Sequence, residues 1–335
     1  MYTFIESPKY ISDPARTLGV EVTRPDTLAR CGAGNIDEQH RPGGDGRAAI
    51  EVALTCPLPE DGTHLVTDRG DLDSSGAMAV LALRLLGVEL HEDALARVRQ
   101  VADADNFRAP SAWSPSPLPT TERPWPTGPA AVSETCALAA AQRVVASSHP
   151  QYAAAMMAAW ILGGEPTTFE DIAHQRAAWG AAIKVWWSVG YDLLSLDCWR
   201  DARAGAEAQR LRLAAAARDA LTERDGIAFV STTEIGAIGL GYCVAPVVVA
   251  RNPAFRWPSG ETTEKVTIAF YSSPGEAALR PLVDALNAAE GLAEGEGGWG
   301  GNLRSGIIGS PQGRSPRATA EQIETAVRAA VGGAS

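Results

Sequence analysis

One segment, residues 64–86, constrains the fold of this chain most strongly. It begins with the apolar run His64–Thr67, continues through an acidic stretch from Asp68 to Gly76, and ends with a run at 77–86 rich in Ala and Leu. The first run predicts a buried strand, and the last has the density of apolar residues typical of a helix. Such a strand, loop and helix predict an α/β domain with a mainly parallel sheet.

The remaining chain predicts a two-domain α/β protein. Seven prolines between 109 and 129 predict a surface loop, because proline is excluded from helix interiors and central strands. Residues 130–223 have a helical pattern, whereas strand-like runs recur at 227–231, 241–250 and 265–271. We therefore expect an N-terminal parallel-sheet domain with a helical insertion, a connecting helix and a smaller mixed α/β domain, over residues 1–205, 206–225 and 226–335.

Charge and hydropathy exclude two classes of partner. Forty acidic residues outnumber 29 basic ones, which leaves a net charge of −11 and disfavours binding of long nucleic acid. The sequence has no apolar run of about 18 residues and no basic N-terminal region followed by an apolar one, so we expect a cytoplasmic protein that does not enter a membrane. A homodimer is compatible with the sequence.

Several acidic residues follow the predicted strand of the first domain. Asp71 and Asp73 follow the strand at 64–67, at the end of an α/β sheet where ligands usually bind. Acidic residues also cap helices, so a purely structural role is an alternative. Further loop residues of the same domain have a chemistry that suits a hard divalent cation, namely Asp37, His40, Asp68, Asp103 and Asp105.

Other families use similar acidic loops. A calcium-binding EF-hand loop starting at Asp71 would require Glu at its twelfth position, where this chain has Ala82, so that interpretation is excluded. Phosphatases of the haloacid-dehalogenase type also use Asp-x-Asp, but they place the first Asp directly after the strand, and here residues 68–70 intervene. That second alternative stays open.

Two motifs resemble the DHH phosphoesterase superfamily. The string Thr67-Asp-Arg-Gly-Asp71-Leu-Asp73-Ser-Ser-Gly76 is similar to its Asp-x-Asp motif, although Thr67 stands where the family usually has histidine. The string Gly297-Gly-Trp-Gly-Gly301-Asn-Leu-Arg304 resembles the glycine-rich phosphate-binding loop of the associated DHHA1 domain. No Asp-His-His occurs in the chain, and Asp37-x-x-His40 is a candidate source of the missing ligands.

The resemblance implies a metal-dependent phosphoesterase that acts on a small phosphorylated metabolite, a nucleotide or a short oligonucleotide. It would hold one or two Mn²⁺ or Mg²⁺ ions through Asp37, His40, Asp71, Asp73 and Asp103. Asp71, Asp73 and His40 would be the catalytic residues. The C-terminal loop would face them across a cleft and clamp phosphate through Gly300, Gly301, Asn302, Arg304 and Arg314. The alternative is a relative that binds a phosphorylated ligand and has lost catalysis.

Overall fold

The computed structural model describes two compact units. One comprises residues up to Asn106 together with 150–207, and the other comprises residues from Ala208 onward. The proline-rich segment 109–129 lies outside the described residues, which are 2–4, 8–40, 44–68, 70–106, 150–164, 170–171, 196–217, 220–234, 236–242, 244–257, 260–292 and 296–332. None of the helices in these ranges is long and apolar enough to cross a membrane.

The N-terminal unit contains a parallel sheet, as its sequence predicts. Its four strands lie in the order β1-β4-β2-β3, and every neighbouring pair is parallel. The strands are β1 (Tyr2–Phe4), β2 (Thr17–Val20), β3 (Asn35–Ile36) and β4 (His64–Thr67). The helices are α1 (Pro25–Leu28), α2 (Ala49–Thr55), α3 (Leu72–Leu85), α4 (Glu92–Asp105), α5 (Pro150–Gly163) and α6 (Leu196–Ala217), the last of which continues into the second unit.

Helix α3 occupies the centre of the N-terminal core. Its residues from Asp73 to Leu81 are buried, because α2 and α5 pack against it. A Cβ atom at Gly76 would lie 2.5 Å from Cδ1 of Ile50 and 3.3 Å from Cε of Met157. Glycine at this position therefore permits the close approach of α2 to α3.

The C-terminal unit contains a mixed sheet of five strands in the order β5-β6-β7-β8-β9. Only β6 and β7 are parallel, and the other neighbouring pairs are antiparallel. The elements are β5 (Leu221–Arg224), β6 (Ile227–Ser231), α7 (Ala237–Tyr242), β7 (Val247–Arg256), β8 (Thr262–Phe270), α8 (Glu276–Glu290), β9 (Ile307–Gly309) and α9 (Ala320–Gly332).

Alternating strand residues build two cores on the two faces of this sheet. Val247 and Val249 belong to the cluster that includes the apolar residues of α8 and α9. Val248 and Ala250, which lie between them in sequence, pack with α7 and with Leu213 of α6. The two-sided burial explains why the first four residues of β7, Val247 to Ala250, are all apolar.

The predicted α/β class is confirmed, but several boundaries were wrong. Helix α3 begins at Leu72, five positions before the predicted start at 77, and α4 extends to Asp105, so the acidic residues at its end are helical. Residues 221–224 were expected to belong to the connecting helix and form β5 instead, paired with β6. The short strand β9, paired with β8, lies within the glycine-rich segment that was predicted to be loop.

Candidate functional site

Parallel strands place acidic residues at one edge of the N-terminal sheet. Glu21, Asp37 and Asp68 each follow the last residue of β2, β3 and β4, respectively. Both Asp68 carboxylate oxygens accept backbone N–H groups, from Thr23 at 3.2 Å and Arg24 at 2.9 Å. Asp68 therefore fixes the loop after β2 and has a structural role.

Asp71 and Asp73 lie where α3 begins. The Asp71 carboxylate accepts the backbone N–H of Ser74 at 3.0 Å, so Asp71 is the N-cap residue of α3. Asp73 is completely buried, and its oxygens accept the N–H groups of Ala49 at 2.6 Å and Ile50 at 2.8 Å. The side chain of Asp73 thus joins the beginning of α3 to the beginning of α2.

The pKa of Asp73 lies well above its ordinary value. Burial is the largest cause, and the negative charges of Asp105 and Asp71 raise the pKa further, while the hydrogen bonds from Ile50 and Ala49 lower it. Burial and the two negative charges together raise the pKa of Asp73 more than the hydrogen bonds lower it. Asp71, at the beginning of α3, and Asp105, at the end of α4, are therefore close enough to Asp73 for their charges to act on its carboxylate.

The loop after β3 supplies an Asp–His pair. Asp37 is almost fully buried, and its Oδ1 accepts the backbone N–H of His40 at 3.0 Å. The same oxygen lies 3.0 Å from Nδ1 of the His40 ring, whose side chain is 36% exposed. This pair of contacts sets the orientation of an imidazole that solvent can reach.

Gln39 links this loop to the end of α4. Its Nε2 donates to Oδ2 of Asp105 at 2.6 Å and to Oδ1 of Asn106 at 3.2 Å. The structure thus connects Asp37 and His40, through Gln39, to the carboxylate that faces Asp73. Four of the residues predicted from the sequence therefore belong to one region: Asp37, His40, Asp71 and Asp73.

The fifth predicted ligand, Asp103, is exposed on α4, and Asp105 has the contacts that were expected of it. The spacing of apolar residues in α4 indicates which of the two aspartates faces the core. Asp105 follows the buried Val101 and Ala102 by four and three positions, so it shares their face of the helix. Treating the segment as a loop concealed this periodicity. Gln39 was also missed, because an isolated glutamine has no sequence pattern.

Among the residues that the structure describes, no group of three or more His, Cys, Asp or Glu side chains is arranged to hold a metal ion. The chemistry of the donors still suits a hard divalent cation, since they are carboxylates and an imidazole. An ionised carboxylate that accepts a backbone N–H retains lone pairs for a further contact. The region is thus a cluster of suitable donors without the convergence of a finished metal centre.

In the C-terminal unit, Glu290 organises the glycine-rich loop. Its buried carboxylate accepts hydrogen bonds from Nε1 of Trp299 at 2.9 Å, from Arg314 at 2.8 Å and from the backbone N–H of Arg317. Burial raises the pKa of Glu290, but these hydrogen bonds outweigh it and the pKa is lowered. Arg314, predicted to bind substrate, therefore has a structural partner.

The other predicted loop residues form a compact turn. Gly300 and Gly309 exchange backbone hydrogen bonds, and the side chain of Asn302 accepts the N–H of Ser305 at 3.1 Å. Gly301 has φ +152°, and a Cβ there would lie 2.5 Å from the carbonyl oxygen of Ile307. Arg304 is 45% exposed and lies 3.6 Å from Glu276. Of the two predicted arginines, Arg304 is the more accessible to a ligand.

No protein-family model and no curated protein matches this chain.

Proposed function

We propose that this protein is a metal-dependent phosphohydrolase whose site lies at the carboxyl edge of the parallel sheet. The observation that carries the proposal is the position of the completely buried Asp73, whose carboxylate is close enough to those of Asp71 and Asp105 for their charges to repel it. Carboxylates held this close destabilise the folded chain when they are ionised, and a divalent cation would relieve that repulsion.

The cation would be Mn²⁺ or Mg²⁺, one or two ions, held by these carboxylates with Asp37 and His40. When bound, such an ion lowers the pKa of a water molecule and neutralises phosphoryl oxygens. Asp105 takes the place among the ligands that Asp103 was predicted to have. The substrate class remains a small phosphorylated metabolite, a nucleotide or a short oligonucleotide, as the motifs of the chain suggest.

The chain's own residues have distinct roles in this proposal. Asp37 holds Nδ1 of the His40 ring and so sets its orientation, which makes Nε2 the nitrogen that would bind the ion. Gln39 positions Asp105 by donating to its Oδ2. Arg304, which the glycine-rich motif predicts to bind phosphate, has an exposed guanidinium, a group that binds phosphate through paired hydrogen bonds.

A non-catalytic phospholigand-binding protein is the second candidate. The observation that favours it is that no three metal-ligating side chains converge among the described residues. A protein of this kind would keep the fold and bind a phosphate ester without cleaving it. The cytoplasmic location expected from the sequence stays a prediction under both functions.

The deciding experiment measures Mn²⁺-stimulated phosphate release from a panel of nucleotides. We expect release by the wild-type protein and at least a hundredfold loss, on the order of 3 kcal/mol, in Asp71→Asn, which keeps an oxygen to cap α3 but removes the charge. Asp103→Asn is the matched control and should retain activity. Binding of a nucleotide without release by the folded wild-type protein would favour the second candidate.

A further inference from the structure

A cavity in the C-terminal unit lies far along the sequence from the carboxylates and has no role in the function proposed above. It has a volume of about 410 Å³ and is formed by the β5–β8 part of the sheet and the beginning of α9. This volume is within the range of small-molecule sites, about 300–1,000 Å³. The cavity is therefore large enough for a ligand of nucleoside size.

The floor of the cavity is apolar. Val249, Val266 and Ile323 are buried in the core beneath it, and the ring of Phe229 is half-buried beside them. Phe229 and Val249 are direct partners on β6 and β7, so their side chains lie next to each other on one face of the sheet. The faces of a planar ring can pack against such a floor, and the ring would displace water from these apolar side chains.

A planar group already lies on the Phe229 ring. The guanidinium carbon of Arg224 is 4.6 Å from the ring centroid, and Arg224 is 52% exposed. The contact shows that the ring face accepts a stacked, delocalised partner. A flat heteroaromatic ring can therefore stack on the exposed guanidinium or replace it on the phenyl face.

The rim carries donors and acceptors side by side. Arg251 on β7 and Glu264 on β8 form an ion pair of 2.5 Å, with 46% and 23% of their side chains exposed, respectively. A pair exposed to this degree contributes little to stability, so a ligand can exchange for either partner at small cost. The ligand's edge must then present acceptors to a guanidinium and donors to a carboxylate.

We infer that the cavity binds the base of a 6-oxopurine nucleoside, of which guanosine is the simplest. Guanine offers O6 and N7 as acceptors for a guanidinium, and its N1–H and N2–H₂ groups donate to a carboxylate. Adenine lacks this pattern, since it has an amino donor in place of O6 and an acceptor at N1. Arg224 stacks on the base, while Arg251 and Glu264 recognise its edge.

Equilibrium dialysis with guanosine tests the inference in buffer that contains a chelator and no divalent metal. These conditions separate it from the proposed phosphohydrolase site, which requires a metal. We expect saturable binding of one guanosine per chain and about tenfold weaker binding of adenosine. No saturable binding by the wild-type protein, or equal binding of the two nucleosides, would overturn the inference.

Variants locate the ligand at this cavity. Glu264→Gln and Arg251→Ala should each weaken guanosine binding about tenfold, and since both side chains are on the surface, their melting temperatures should stay close to that of the wild type. Glu92→Gln is the matched control, because it breaks an exposed 2.5 Å pair with Arg99 in the other unit. Guanosine binding by both rim variants within twofold of the wild type contradicts the assignment.

Discussion

Asp73 experiences two opposing effects at the scale of a single residue. Two backbone N–H groups at the start of α2 stabilise its charge, while burial and the neighbouring carboxylates Asp105 and Asp71 destabilise it. The destabilising effects prevail, since the pKa is raised. A folded-state pKa above the ordinary value of 3.8 means that the folded protein is most stable with Asp73 protonated.

The first prediction concerns the pH dependence of stability. As the pH rises above 3.8, through the higher pKa of the folded state, Asp73 should progressively destabilise the wild-type protein. Asp73→Asn lacks this titration, but its amide NH₂ faces backbone donors, which costs about 1–3 kcal/mol. Urea unfolding should therefore show Asp73→Asn as the less stable protein at low pH, with the difference narrowing as the pH rises. Mn²⁺ should stabilise only the wild type, and a difference that is constant with pH would contradict the account.

The second prediction distinguishes two acidic residues on α4. Asp105→Asn should abolish Mn²⁺-stimulated phosphate release and weaken Mn²⁺ binding, because Asp105 faces Asp73 and accepts from Gln39. Asp103→Asn removes the same charge from an exposed position two residues away and should leave both properties near wild type. Calorimetric titration with MnCl₂ measures the metal binding directly. Equal effects of the two variants would mean that overall charge, and not position, controls binding.

The third prediction concerns the buried carboxylate of Glu290 in the C-terminal unit. Glu290→Gln should lower the free energy of unfolding by about 3 kcal/mol, because it leaves the mostly buried Arg314 without its ionic partner. Glu296→Gln, which breaks the exposed pair with Arg317, should cost at most about 1 kcal/mol. The lowered pKa of Glu290 also means that its contribution is present above the ordinary value of 4.5 and is lost as the pH falls below it. Denaturant unfolding measures the free energy of unfolding of both variants. A larger decrease in Glu296→Gln than in Glu290→Gln would contradict the prediction.

At the scale of elements, the glycine-rich loop is held in place by its backbone. Gly300 forms backbone hydrogen bonds with Gly309 at the end of β9. A Cβ atom at Gly301 would lie close to the carbonyl oxygen of Ile307. The positive φ of Gly301 and the lack of space for a Cβ both require glycine there. Glycine at position 301 therefore has a structural reason that is independent of phosphate binding.

The fourth prediction separates adjacent glycines in this loop. Gly301→Ala should destabilise the protein by about 1–3 kcal/mol, because its Cβ would meet a backbone oxygen 2.5 Å away. Gly300→Ala has nothing within 4 Å of the added Cβ and should change stability by at most about 0.5 kcal/mol. Thermal melts of the two variants provide the measurement. A wild-type melting temperature for Gly301→Ala would show that this backbone is not required.

At the scale of the whole molecule, each unit has its own sheet and its own buried apolar residues. The core around α3 belongs to the N-terminal unit, and the two cores of the mixed sheet belong to the C-terminal unit. Units with separate cores are expected to open separately.

The fifth prediction follows from these separate cores. In Glu290→Gln, amide hydrogen exchange should accelerate in β8, β9 and α9, while β2, β4 and α3 retain wild-type protection. Mass spectrometry of peptides from the intact variant measures both units in one sample. Faster exchange in α3 would show that the units unfold together.

The sequence alone determined the α/β class and several elements of each unit. Strict local patterns made this possible, since β4 and β6 have the bounds that their apolar runs predict. The same reasoning predicted that Asp37, His40, Asp71 and Asp73 belong to one site, and that remains a prediction. The structure places the first two in the loop after β3 and the other two at the beginning of α3, which follows β4.

Only the tertiary structure decided how these residues are used. Three contacts depend on residues that are distant in sequence. Gln39 donates to Asp105, the buried Asp73 accepts from the start of α2, and Arg314 pairs with Glu290. The cavity between β5–β8 and α9 likewise has no local signal. Apolar periodicity records which face of an element is buried, whereas the partner of a polar group is set by packing between elements, which a local pattern does not encode.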